Sequence, residues 1–312
     1  MKKNSKLPIY ITLVFVMLTW GLNVTATKLL VTSFSPITMT ALRIFTAAGG
    51  VFILLGFLRL LRKPTKSEWF AILICSLFNV VGHHYFLSVG LQETSASNAG
   101  LILGMGPILT TIMAIVFLKN KVTFIRFLGI IFGFVGISFI ILHNGKALQG
   151  ISIGDVQIFL SILLQAFSFI MIKKVSATLD PRLMTGYMLL IGSGILFGFS
   201  LVMEPNGLQS MTKGNMGIWI IFFASAFLAT SVGHMIYNYA IGKVGPSETS
   251  IFINLNPFFA LVGASLFLHE QITLIQVIGF IFIIFGVVLG SGGLEELLRY
   301  RKKQRQRVIL SR

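Results

Sequence analysis

The sequence predicts an all-α polytopic membrane protein: ten transmembrane helices forming an inverted repeat of two five-helix halves. Three observations lead to it. The 312 residues are 55% hydrophobic and only 11% charged, with a mean hydropathy of +0.90. A soluble chain carries about 25% charged residues and cannot hide so much apolar surface in its core. The apolar runs are about 20 residues long and unbroken, which suits helices crossing roughly 30 Å of hydrocarbon and not the alternation of barrel strands. The chain also matches itself at a step of 150 residues. Together these exclude a soluble enzyme, a disordered chain and a nucleic-acid reader. The net charge of +16 does not restore the last of these. The basic residues stand between apolar runs and at the chain ends, where they read as topology signal and contact with anionic lipid headgroups.

The ten spans fall at 8–30, 37–61, 69–91, 96–118, 123–143, 154–174, 183–203, 217–241, 247–268 and 273–291. The first follows Lys2 and Lys3 as a signal peptide would. It runs too far and lacks a small-residue cleavage site, so it reads as an uncleaved span. Arg62-Lys63-Pro64, Asp180-Pro181 and Glu204-Pro205-Asn206-Gly207 punctuate the connections. Gly100, Gly104, Gly106 and Pro107 make the fourth span the least regular. With the N-terminus inside, 21 of the 25 Lys and Arg fall in inside segments. Only Lys146 and Lys213 fall outside, and Lys28 and Arg43 lie within spans. Both termini are therefore expected on the cytoplasmic side of the cell membrane.

At the 150-residue step Pro107 meets Pro257, Gly129 meets Gly279, Gly136 meets Gly286 and His84 meets His234. Ala114, Phe117, Leu118 and Thr123 also find their counterparts. Matches of Ile or Phe alone would be chance in apolar helices; proline and two glycines in register are not. The halves are expected at residues 1–146 and 147–293, with a basic tail at 294–312. Five is odd, so the second half must enter from the opposite membrane face. Inverted repeats place a binding site at their interface, near the midplane, and expose it alternately by rocking. The expected function is a transporter, and its partner a small-molecule solute.

Several residues carry a family resemblance: Trp20-Gly21-Leu22-Asn23 with Lys28, Ser35-Pro36 with Arg43, the stretch Gly104 to Pro107, Asn256-Pro257, and Leu268-His269-Glu270 followed by Gly279 and Gly286. On these the chain resembles the EamA-type branch of the drug/metabolite transporter superfamily over all but its tail. The resemblance implies ten helices, an inverted five-helix repeat, and export or exchange of small metabolites across a bacterial-type plasma membrane. That family usually carries a Glu after the fourth span as well. This chain has Lys119-Asn120-Lys121 there, so Glu270 is assigned no role.

Polar side chains at membrane depth line a cavity or bridge helices by hydrogen bonds of about 0.6 kcal/mol. They form stripes at helical spacing on five spans, with Trp20, Asn23 and Thr27 on the first and Ser76, Asn79 and His83 on the third. The sixth carries Gln157, Ser161, Gln165 and Ser168, the eighth Thr230, His234, Tyr237 and Asn238, and the ninth Ser250 and Asn254. A cavity shared by five helices is the economical reading. The expected substrate-binding residues are Trp20, Asn23, Lys28, Asn79, His83, Gln165, His234, Tyr237, Asn238 and Asn254. Gly104, Gly106, Pro107, Asn256 and Pro257 are expected to break helices beside the site, since proline removes a donor and frees a carbonyl; the plainer alternative is a packing kink.

Arg43 is expected to be structural, bonding carbonyls or a helix end, with an anionic substrate group as the alternative partner. His83, His84 and His234 are proton-coupling groups or satisfied interior residues. Adjacent His83 and His84 point about 100° apart, and no cluster has metal-ligand spacing. No catalytic residue, metal or cofactor is expected. Carboxylate-bearing, amino-acid-like solutes suit Lys28, Arg43 and the lack of deep acidic groups. Gly100/Gly104, Gly129/Gly133, Gly194/Gly198 and Gly286/Gly290 are expected to allow close helix packing. The tail is expected on anionic lipid, and a homodimer is left open. A membrane-embedded enzyme acting on lipid-linked substrates is the alternative function; it would need a cluster of nucleophile, base or metal ligands at one depth.

Overall fold

The computed structural model of the protein describes residues 6–94, 99, 102–142, 152–260, 262 and 274–290. The tail 294–312, Lys146 and Leu268-His269-Glu270 lie outside the described residues. No strand occurs among the described ones, and six helices are long and apolar enough to cross a membrane. They are α1 (Leu7–Ser33), α2 (Pro36–Phe57), α3 (Lys66–Glu93), α6 (Ile153–Val175), α7 (Pro181–Met203) and α8 (Met216–Val244). Shorter apolar helices are α4 (Gly106–Leu118), α5 (Phe124–Leu142) and α10 (Leu274–Gly290), and a short polar helix, α9 (Pro246–Ser250), follows α8. Phe45, Phe57, Phe70, Val202 and Met216 face outward and exposed. An apolar rim of that size belongs in lipid, so this is a multi-pass membrane protein.

Local chemistry sets the ends. Thr65 and Glu68 close a capping box on α3, as Ser152 and Asp155 do on α6. Pro36, Pro107 and Pro181 sit at helix starts, where their missing N–H costs nothing. The N-terminus of α2 takes its cap from a distant residue: the Glu204 carboxylate accepts from the Ile37 and Thr38 amides at 3.0 and 2.8 Å. Arg59 and Lys119 adopt left-handed backbone, φ 54° and 52°, just past the ends of α2 and α4. The first makes α2 end at Phe57, four residues before the sequence-expected 61.

Two departures from plain helix have no signal in the hydropathy pattern. Ser76–Gly82 inside α3 and Ser225–Gly233 inside α8 are π-helical. After α9 the chain continues as a 3₁₀ turn, Ile251–Leu255, before Asn256-Pro257.

The helices pair in a regular way. α5 packs on α10 and α2 on α7; α3 packs on α6, and α1 on α8. α4 lies against α6, as the 3₁₀ turn lies against α1. The first four pairings map onto one another, or onto themselves, when α1, α2, α3 and α5 are exchanged for α6, α7, α8 and α10; the contact of α4 with α6 finds its counterpart in the 3₁₀ turn after α9 and not in α9 itself.

The α5–α10 seam is backbone against backbone. A Cβ on Gly136 would lie 2.5 Å from the Gly279 carbonyl oxygen, and one on Gly286 at 2.5 Å from the Gly133 amide nitrogen. Small residues let helices approach this closely. Gly194 and Gly198 do not serve that purpose: nothing lies within 4 Å of a Cβ at either, so the packing role expected of that pair is corrected. The main apolar core runs through α1, α2, α3, α6, α7 and α8, and includes Leu13, Met17, Ile44, Ala48 and Met188.

Candidate functional site

A cavity of about 70 Å³ lies between α1, α3, α6 and α8. α1 contributes Trp20, Asn23 and Thr27, α3 His83 and His84, α6 Gln165, and α8 Thr230 and His234. Ile253 and Asn256 close it from the 3₁₀ turn and the residue after it. Its walls are otherwise apolar, from Leu87, Leu91, Leu103 and Ile162.

The π-helical stretches put these groups in place. Each ends at a glycine that is followed directly by a cavity histidine, Gly82 before His83 and Gly233 before His234. A π turn shifts the hydrogen-bond ladder by one residue, which re-aims side chains and leaves carbonyls for other donors. Trp20 uses one: its indole N–H donates to the Ala229 carbonyl at 2.8 Å. The Trp20 ring lies 4.9 Å from His234 and 4.8 Å from Tyr237, centroid to centroid. Nothing but hydrogen would fit at Gly233, where a Cβ would meet the Trp20 indole nitrogen at 2.6 Å.

The three histidines form one cluster, with ring centroids 4.7 Å apart for His83–His84 and 5.5 Å for His84–His234. His83 is held from α6. The Gln165 amide lies 2.9 Å from its Nε2 and the Ser161 hydroxyl 2.7 Å from its Nδ1. With Gln165 donating, the proton sits on Nδ1, facing the Ser161 carbonyl at 3.2 Å. His84 is different: neither ring nitrogen has a hydrogen-bond partner among the described residues. Among the described residues no group of three His, Cys, Asp or Glu could hold a metal ion.

Arg43 stands behind the cavity wall, 2% exposed. Its Nη1 donates to the Thr230 hydroxyl at 2.7 Å and to Ser225 at 3.1 Å. Ser225 in turn donates to the Asn23 side-chain oxygen at 2.5 Å. Arg43 thus fastens α2 to α8 through hydroxyls, not through the carbonyls or helix end the sequence suggested.

Of the ten expected binding residues, Trp20, Asn23, His83, Gln165 and His234 meet at the cavity. The others serve elsewhere. Lys28 donates its ammonium to the Leu91 and Thr94 carbonyls, completing the C-terminal end of α3. Asn79 bridges to Ser168 at 2.7 Å and Asn238 to Thr185 at 2.9 Å. Tyr237 is fully buried between Trp20 and Phe169. Asn254 packs on Gly133. Of the expected helix breaks, Asn256 lines the cavity, and Gly104 and Pro257 line a smaller adjoining void with it. Gly106 and Pro107 open α4, with Gly106 facing Ile162 and Ile253. Sequence reasoning missed Ser225 and the leucine walls: an apolar lining residue has no contrast against an apolar helix.

The family model described as the EamA-like transporter family matches the chain twice, at residues 7–142 and 152–292. The uncharacterized transporter YyaM of Bacillus subtilis is 29% identical, over 97% of this chain and 99% of its own. An uncharacterized transporter of Archaeoglobus fulgidus is 27% identical over 86% of this chain and 94% of its own. The WAT1-related protein At3g02690, chloroplastic, of Arabidopsis thaliana is 24% identical over 83% of this chain and 64% of its own. One solved crystal structure superposes with a TM-score of 0.76 over 94% of this chain and 99% of its own, at 14% identity. That likeness is one of fold.

Proposed function

The chain belongs to the EamA-like transporter family, and from that premise we propose that it is a secondary transporter moving a small polar metabolite by alternating access. Carboxylate-bearing, amino-acid-like solutes are favoured, and the direction is outward. The carrying observation is the cavity itself, whose polar groups come from α1 and α3 of one half and α6 and α8 of the other. In this reading residues 1–146 and 147–293 are inverted five-helix repeats with the solute between them. The twofold family match, the exchange-symmetric pairing and the two π-helical stretches at equivalent places all support it. Both termini face the cytoplasm of a cell plasma membrane, as the basic residues favour. The chain is a carrier and not an enzyme.

Purified protein in proteoliposomes, assayed for counterflow against a panel of amino acids and small organic acids, tests this. Saturable counterflow of at least one solute is expected. No solute moved, together with turnover of a lipid-linked substrate, would favour the embedded-enzyme reading. Accessibility labelling of cysteines placed at the two termini should mark both on one membrane face.

A further inference from the structure

Buried charges in this molecule are treated in two ways. Glu68 and Glu248 are met by opposite charge, from Arg62 at 2.7 Å and from Lys6 at 3.0 Å. Arg43, equally buried, is not. Its hydrogen bonds among the described residues go only to the neutral hydroxyls of Ser225 and Thr230, and its Nε has no partner. No carboxylate among the described residues pairs with it. A lone guanidinium is costly to hold in a low-dielectric interior, and hydroxyl dipoles offset that cost only in part. Nor is its charge insulated from the cavity. Thr230, which it holds directly, and Asn23, which it reaches through Ser225, both line that space. Among the described residues no carboxylate lines the cavity, and His84, whose ring nitrogens have no partner there, is one of its lining residues.

We propose that the cavity takes a small organic anion, a carboxylate on an otherwise apolar body, and that Arg43 selects its charge through Thr230 and the Ser225–Asn23 pair. The countercharge missing from the protein is then supplied by the ligand. Its apolar body packs against Trp20, Leu87, Leu91 and Ile162. This deepens the transport reading and rests on it for the ligand's fate, but not for its binding. Arg43 is a positioning residue here, acting through the hydroxyls it orients. A purely structural Arg43 would only tie α2 to α8.

The test is binding to purified protein in detergent, using small acid and amide pairs of one shape: acetate against acetamide, propionate against propionamide, isobutyrate against isobutyramide. Wild type is expected to bind at least one acid about tenfold tighter than its amide. Arg43→Gln should bring that ratio to within about twofold of one, Arg43→Lys should keep most of it, and Thr230→Val should fall between. Should Arg43→Gln not fold, Thr230→Val and Asn23→Leu carry the same comparison. Equal affinity for acid and amide in wild type, binding of neither, or an Arg43→Gln protein with an unchanged ratio would each overturn the proposal. Acid selectivity without counterflow of any solute would overturn the transport reading and leave the anion site standing.

Discussion

Helices α5 and α10 meet at glycine, with the Gly136 and Gly286 backbones pressed onto the partner helix. Helices α3 and α8 stand at the same 150-residue step from one another, yet they face each other across His84 and His234, 5.5 Å apart, with a cavity beside them. Both contacts join elements that correspond in the two halves, and both lie in strongly apolar sequence. The difference is what stands at the contact. Glycine lets the backbones touch, leaving no volume and no polar group that needs a partner. A π turn followed by histidine sets a large polar ring where a small side chain would have closed the gap. Apolar packing is dense unless something polar holds it open.

The largest effect that would sharpen this contrast is expected in the dry seam. Gly286→Leu has no neighbour able to give way, because the atoms it meets are backbone. It should cost upwards of about 3 kcal/mol and show as loss of a monodisperse peak and a lowered Tm in detergent. Gly194→Leu, pointing into open space, should melt like wild type. Equal damage from both would dissolve the distinction. Trp20→Ala comes next, removing a ring that touches His234 and Tyr237 and a bond to Ala229. About 3 kcal/mol of stability should go in denaturant titration.

Smaller effects separate a cavity residue from a bridging one. Gln165→Leu should lower counterflow about tenfold, the worth of one hydrogen bond that orients His83, with little change in Tm. Asn79→Ala, which loses only its bond to Ser168, should cost about 0.6 kcal/mol and leave counterflow per folded molecule unchanged. Were Asn79→Ala to damage transport as much as Gln165→Leu, the cavity would extend further along α3 than its lining indicates.

Span positions are legible in the amino-acid sequence because hydrocarbon imposes a length and a composition on every crossing segment. α1, α3, α6, α7 and α8 each end within about three residues of the expected bounds, a margin normal for helix ends. Half of the site is equally legible, since Trp20, Asn23, His83, Gln165 and His234 stand out against apolar surroundings. The other half is not. Asn79, Asn238 and Asn23 give the same signal and each meets a hydroxyl on a neighbouring helix, but of the three Asn23 alone also lines the cavity.

Length, hydropathy and the 150-residue echo are properties of the chain alone, set by what lipid tolerates and by where glycine and proline recur. Which polar groups face the cavity, which clasp a neighbour, and whether Arg43 meets an acid or a hydroxyl depend on residues up to about 200 positions away, as Asn23 and Ser225 are. Those choices are made when the helices pack. A hydrogen bond across helices depends on the last few tenths of an ångström, and hydrophobic pattern does not encode distance at that scale.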